Sequence, residues 1–369
     1  MKRKFAFALL IILTMTHNSL KAQEEITTKD TVAFSPQLLA KAKEMHSRFL
    51  SVDTHCDTPL NFVREKNYDV GKANRNQVTL IKMQKGMLDG AFMACFVDQG
   101  PRTKVSSDSA VQVINKLIDA VYKQVDMNSD RCAIAYTPAD LEQLKAEGKK
   151  AFFIGVENGY GIGKDIENLE RLKKLKVSYL TLCHVMDNDI CDSSSKSKDE
   201  WGGLSPFGEK VVEEMNRLGM IIDVSHASES TFWDVIKLSS KPIIASHSGV
   251  KGIFNHNRNL TDAQLKALAK QGGVVQIYFV GSFMSPKRRE TTLYEVLDHI
   301  DYAVRVAGID HVGIGTDFDG GSGVIGCKHA GQLLNLTAGL IERGYTEEEI
   351  AKIWGGNFLR VMKEVQNVE

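Results

Sequence analysis

Eight short apolar runs constrain this chain more than any other feature. They fall at residues 49–52, 91–97, 151–156, 177–182, 220–224, 242–245, 273–277 and 311–315. Runs of four to seven apolar residues fit strands buried on both faces, as in a parallel sheet. Most are separated by stretches of helical spacing, among them 107–125, 167–175, 207–218, 228–238 and 293–307. Start signals agree with that reading. Thr137-Pro138-Ala139-Asp140 and Ser205-Pro206 place a cap before a proline, and Thr261 with Gln264 and Thr346 with Glu349 form capping boxes. Alternating strands and helices predict parallel β/α units. Eight of them predict an α/β fold of the closed (β/α)8 TIM type, a single domain with long decorating loops after the first two strands.

The chain has 369 residues, and no Pro/Gly/Ser-rich linker divides it after the first few dozen. The domain is expected to span 36–369, with a polar, flexible lead-in over 23–35. Lys2-Arg3-Lys4 precedes an apolar run too short to span a bilayer, and Leu20-Lys21-Ala22 fits a cleavage site. Residues 1–22 therefore read as a signal peptide, with the mature protein periplasmic or secreted and without a stable membrane anchor. Lys plus Arg and Asp plus Glu both number 46, so no global field favours nucleic acid or anionic lipid. A small substrate is the expectation. The six cysteines are sparse and form no CxxC. They do not make a disulfide framework, and most are expected to be buried thiols. Cys183 and Cys191 are the closest pair in sequence.

In a (β/α)8 barrel, functional groups sit at the C-terminal ends of the strands. Here six of the eight runs end in a metal ligand or acid–base residue. His55 and Asp57 follow the first, Glu157 the third, His184 the fourth, His226 the fifth, His247 the sixth and Asp317 the eighth. Singly, a histidine after a strand often caps a carbonyl, Glu157 could pair with a lysine, and Asp317 could cap a helix. Their shared position is what chance explains poorly. Three imidazoles (His55, His226, His247) and two carboxylates (Asp57, Glu157) exceed the ligand set of one catalytic zinc. They suit two ions about 3.5–4 Å apart. Glu157 lies between the two groups in strand order and is the natural bridge. His55, Asp57 and Glu157 would hold one ion; Glu157, His226 and His247 the other. A water between two cations is acidic. Asp317 would take its proton and hand it to a leaving amine, and His184 would face the substrate carbonyl oxygen. Zinc suits these donors, and manganese or iron is not excluded. The loop 186–203 is long enough to line the cleft or cover it.

Several stretches resemble the membrane (renal-type) dipeptidase family of dinuclear zinc peptidases. They are Asp53-Thr54-His55-Cys56-Asp57, Gly155-Val156-Glu157-Asn158-Gly159, Leu180-Thr181-Leu182-Cys183-His184, Ile222-Asp223-Val224-Ser225-His226 and Asn257-Arg258-Asn259-Leu260-Thr261. Gly315-Thr316-Asp317-Phe318-Asp319-Gly320 and Gly355-Gly356-Asn357-Phe358-Leu359-Arg360 extend the pattern. The resemblance covers about 51–361. It implies a (β/α)8 barrel that hydrolyses dipeptides, with the ligand set above, Asp317 as acid/base and His184 on the carbonyl. It further implies that Arg258 binds the substrate α-carboxylate, which suits a two-pronged guanidinium. A homodimer is left open. The sequence departs from the family at Cys56, whose thiol between two ligands is exposed to oxidation or distorts the site, and in the Ser/Lys-rich loop 187–201. Which residue of Tyr278-Phe279 faces substrate is not fixed by the sequence.

The competing reading is another dinuclear metal amidohydrolase, acting on a cyclic amide, a lactone or a phosphoester, since one barrel serves many chemistries. Arg258 separates the two, because it calls for a carboxylate one residue from the scissile bond. No lysine stands at the fourth strand end to be carboxylated as a metal bridge. A non-catalytic barrel would have no use for Asp317.

Overall fold

The computed structural model describes residues 32–195 and 198–367. The expected signal peptide over 1–22 and most of the expected lead-in over 23–35 lie outside the described residues. Phe34–Glu369 clusters as one unit. Ten strands make one all-parallel sheet: β1 (Val52–Cys56), β2 (Gly90–Phe96), β3 (Cys132–Ile134), β4 (Lys150–Glu157), β5 (Val177–Thr181), β6 (Ile221–Asp223), β7 (Ile244–Val250), β8 (Asn259–Leu260), β9 (Val274–Ile277) and β10 (Val312–Ile314). Eight follow the order β1-β2-β4-β5-β6-β7-β9-β10, while β3 adds to β4 and β8 to β7. The ring closes at its upper edge. Asp317 N donates to His55 O at 3.0 Å, and Asp57 N donates to Phe318 O at 2.8 Å. The result is the expected eight-stranded barrel with helices outside it.

Each of the eight apolar runs gives a strand, but two strands are displaced toward the mouth. β1 begins at Val52, where the run 49–52 predicts it to end, and β7 continues to Val250, past the predicted end at 245. The displaced portions read Asp53-Thr54-His55 and Ser246-His247-Ser248, polar residues that are nonetheless buried. Burial is tolerable because their polar atoms are hydrogen-bonded, as shown below. Two short strands, β3 and β8, carry too few residues to show a pattern. The two capping boxes read from the sequence are present, at Thr261/Gln264 and Thr346/Glu349, and the Thr137 cap proves to be a box as well, closed by Asp140.

The lower barrel is filled by aromatic rings. Phe92 stacks on Phe153 at 4.8 Å and on Tyr179 at 5.3 Å, and meets the edge of Phe358 at 5.0 Å. Phe358 lies on the helix Asn357–Gln366, which packs against β6, β9 and β10. Burying one such ring stabilises the fold by about 1.5–3 kcal/mol. Gly155 makes room for the Tyr179 ring: a Cβ there would stand 2.3 Å from Tyr179 Cζ. The gap lets a tyrosine rooted in the core extend its hydroxyl toward the mouth.

Candidate active site

Two buried aspartates brace the mouth from below. Asp53, on β1, accepts hydrogen bonds from Thr316 N (2.8 Å), Thr316 Oγ1 (2.6 Å) and His55 N (3.3 Å). It thereby ties β1 to the segment after β10, which sets His55 and Asp57 beside Asp317. Burial raises the Asp53 carboxyl to about 6 against these donors. Asp223, at the end of β6, accepts from Ser225 N (2.9 Å), Ser246 N (2.8 Å), Ser246 Oγ (2.6 Å) and Thr181 Oγ1. Ser246 Oγ in turn lies 2.9 Å from His247 Nδ1. Tyr179 OH does the same for His55, 2.9 Å from its Nδ1. In both imidazoles the Nδ1 side is engaged, so Nε2 is left facing the barrel axis. An outer partner of this kind is what fixes ring orientation in metal-binding histidines.

Glu157, the last residue of β4, stands between the two halves. Its Oε2 lies 3.4 Å from His55 Nε2. Its Oε1 lies 3.1 Å from His226 Nε2 and 3.5 Å from His247 Nε2. His226 and His247 bring their Nε2 atoms to 2.9 Å of each other. Asp57 Oδ1 is 3.9 Å from His55 Nε2. Asp317 joins His55 and Asp57 in one cluster, and His184 joins Glu157 and His226 in another, each with ligand atoms within 4.8 Å. All seven sequence-read rim residues thus converge. His226 and Asp317 hold left-handed backbones, φ 68° and 62°. Non-glycine residues at such angles cost about 1 kcal/mol or more, a strain that collects at functional sites.

The donor set fits cations. His55 Nε2 and Asp57 Oδ1 are buried without a hydrogen-bond partner, as are His184 Nδ1 and His226 Nδ1. Gly320 lies directly over the carboxylates: a Cβ there would stand 2.1 Å from Asp57 Oδ2 and 2.2 Å from Asp317 Oδ1. The proton equilibria point the same way. Burial disfavours charge on His55, but the negative Glu157, with Asp57 and Asp317, overrides it and lifts His55 to about 10. Burial and the repulsion of Glu157 push Asp57 well above the carboxylate range. Burial, with Glu157 also repelling, holds Asp317 at about 7 even though His55 attracts its charge. Burial, then the positive Arg258, keeps His226 well below its ordinary value; burial, then His55, does so for His247. Protons and cations compete for such a cluster.

His184, one of the seven, and Arg258 frame the cleft. His184 packs edge-on against Phe96 at 4.5 Å and against His226 at 4.3 Å. Burial lowers its pKa, which favours the neutral ring. Arg258 is only 6% exposed, which rules out a solvated loop charge. Its Nη2 donates to His247 O at 2.9 Å, and its guanidinium sits 5.8 Å from the centre of the Tyr278 ring. Tyr278 is therefore the aromatic beneath the arginine, while Phe279 packs on Phe318 in the core. His184, Arg258, Asp317 and the ligand cluster line one cavity of about 710 Å3.

One expectation needs correction. Cys56 does not intrude on the ligands. Its Sγ points into the wall, 3.2 Å from Phe92 O and 3.9 Å from Met93 Sδ, fully buried, because successive strand side chains face opposite ways. Of the two roles expected for the loop after β5, the structure shows the lining one, through Val185 and Ser195. It is pinned by the buried Asp192, which accepts from Glu200 N (2.8 Å), Trp201 N (3.1 Å) and Gly203 N (2.9 Å). All six cysteines are buried free thiols, Cys183 and Cys191 included. Sequence reasoning missed the supports: Asp53 and Asp223 sit inside the quoted motifs, two or three positions before a rim histidine, and that spacing was the available signal. Tyr179 lies within an apolar run and gave none.

A parallel barrel with imidazoles and carboxylates gathered at the C-terminal mouth defines the class of barrel metallohydrolases. Within that class the match is specific. A sequence model of the membrane dipeptidase family, peptidase family M19, fits residues 39–369, and the chain belongs to that family. It is a hydrolase of peptide bonds of the metallopeptidase kind. The dipeptidase ataJ of Aspergillus terreus is 31% identical over 360 residues, covering 89% of this chain and 88% of that protein. The dipeptidase tcpJ of Claviceps purpurea is 31% identical over 313 residues, 84% of this chain and 74% of that protein. Among solved structures, the probable dipeptidase PvdM of Pseudomonas aeruginosa superposes with a TM-score of 0.86 at 32% identity, covering 90% of this chain and all of that one. Among the described residues no helix is long and apolar enough to cross a membrane.

Proposed function

We propose that the chain hydrolyses dipeptides to free amino acids with two zinc ions at the barrel mouth; manganese or iron would suit the same donors. His55, Asp57 and Glu157 would hold one ion and Glu157, His226 and His247 the other. The observation that carries this reading is Glu157, whose two oxygens face different imidazoles. Bound there, the cations would supply an acidified water and a Lewis acid for the scissile carbonyl.

The rest falls to the chain's own side chains. Arg258, held by His247 O and backed by Tyr278, grips the substrate carboxylate and sets the reach of the dipeptide. His184, neutral and with an unpartnered ring nitrogen, donates to the carbonyl oxygen as charge builds on it. Asp317 accepts the proton of the attacking water and returns it to the leaving amine. Its carboxyl lies near neutrality without cations and would be drawn lower beside them. The chain would be exported, with residues 1–22 removed; the first residue of the mature protein would then lie near Gln23, which N-terminal sequencing reads directly. The activity test compares chelated and zinc-reloaded protein on Gly- and Ala-containing dipeptides. Turnover that survives the chelator, or reloaded protein inert toward all dipeptides, would refute the assignment.

A further inference from the structure

A second cavity, of about 300 Å3, opens off the catalytic cleft and shares four lining residues with it: Leu60, Arg64, Phe96 and Asp98. Its walls are Leu60 and Val63 on the helix Pro59–Arg64, Phe96 and Val97 at the end of β2, and Val113 and Leu117 on the helix Lys104–Asp126. It is a mainly apolar slot, with Arg64 and Asp98 at the edge shared with the cleft and Lys116 on the same helix as Val113. Val113 is 42% exposed, although it lies among apolar neighbours. At the shared edge the Asp98 and Arg64 side chains make no hydrogen bond or ion pair with any described residue, and Asp98 lies close enough to His184 to act on its charge.

The position of the slot determines what reaches it. β2 and β7 are four places apart in the ring of eight, on opposite sides of the mouth. Arg258 follows β7, and the slot follows β1 and β2. A dipeptide whose carboxylate is held by Arg258 and whose carbonyl meets His184 must point its N-terminal residue across the mouth, past Phe96. We infer that this slot is the specificity pocket for the side chain of the substrate's N-terminal residue, and that it selects dipeptides beginning with a large apolar residue. Asp98, at the entrance, faces the substrate ammonium. The inference rests on the dipeptidase reading and adds the substrate class to it.

The test compares zinc-loaded full-length protein on Leu-Gly, Phe-Gly, Ala-Gly and Gly-Gly. The wild type should favour Leu-Gly and Phe-Gly over Gly-Gly by at least about tenfold in kcat/KM, since each buried methylene is worth roughly 10–200-fold. Val113→Trp, and independently Val63→Trp from the facing wall, fill the slot, with thermal melts establishing that both fold. In each, the Leu-Gly to Gly-Gly ratio should fall by about tenfold or more. A flat wild-type preference, or a ratio unmoved in both folded variants, would overturn the pocket while leaving the dipeptidase assignment standing. Protein inert toward all four dipeptides would overturn that assignment, and this inference with it.

Discussion

The rim histidines His55, His226 and His247 are about as buried as the core histidines His46 and His299, yet the two groups differ. His46 and His299 have both ring nitrogens engaged. His46 reaches Thr337 Oγ1 at 2.6 Å and Met87 O at 3.4 Å. His299 accepts from Val250 N at 3.1 Å and meets Met284 O at 3.1 Å. At the mouth, His55, His184 and His226 each keep a buried nitrogen with no hydrogen-bond partner. The core histidines are satisfied by their own chain; His55 is held at Nδ1 by Tyr179 OH and keeps Nε2 unpaired. Burial alone does not separate a ligand from a strut. At His55, His184 and His226 the unspent nitrogen does, because leaving a buried polar atom unpaired costs about 1–3 kcal/mol and calls for a ligand to offset it.

The contrast can be broken at several points. The largest effect should come from Asp317→Asn, which keeps the shape of the cluster but cannot carry the proton: kcat should fall by about 10²–10⁴ with bound metal retained. Turnover near the wild-type rate would remove Asp317 from proton transfer. Arg258→Ala should cost about 2–5 kcal/mol in substrate binding, read as a raised KM at unchanged metal content. An unchanged KM would place Arg258 outside the substrate site. Tyr179→Phe frees His55 Nδ1 and should weaken metal binding by about 10–100-fold in a competitive chelator titration, without loss of fold. Equal metal affinity would show that the hydroxyl does not orient His55.

The core histidines should have the smallest effect at the site and act on stability instead. Burial chiefly lowers both His46 and His299 to about 4, against 6.5 when unfolded. The unfolded chain therefore binds more protons between these values. The stability linked to each residue is full above pH 6.5 and declines as pH falls toward 4, by on the order of 3 kcal/mol at most. Urea melts from pH 7 to 4.5 should show this decline, and His299→Gln should flatten it. A wild-type profile without slope over that window would contradict the assignment of neutral, saturated rings.

The sequence made the barrel legible because its strands are buried on both faces and appear as unbroken apolar runs. The site was legible for a related reason: those runs stop in histidine or carboxylate. The same chemistry concealed the true strand limits. Asp53, Thr54, Ser246 and His247 are strand residues whose polarity is met by side-chain bonds across the ring, so the apolar pattern ends before the strand does. Tyr179 was hidden in the opposite sense, as an apolar-looking residue whose single hydroxyl reaches the metal-binding layer. The slot beside Phe96 is assembled from a strand end and two helices distant in sequence, and nothing local marks it.

Glu157 is expected to join two cation sites into one. Metal content of purified wild type and Glu157→Ala, measured by inductively coupled plasma mass spectrometry alongside a thermal melt, tests it most directly. Two metal equivalents per chain in the wild type, falling to one or fewer in the folded variant, is the predicted result. A single equivalent in fully active wild type, or two retained in Glu157→Ala, would contradict it.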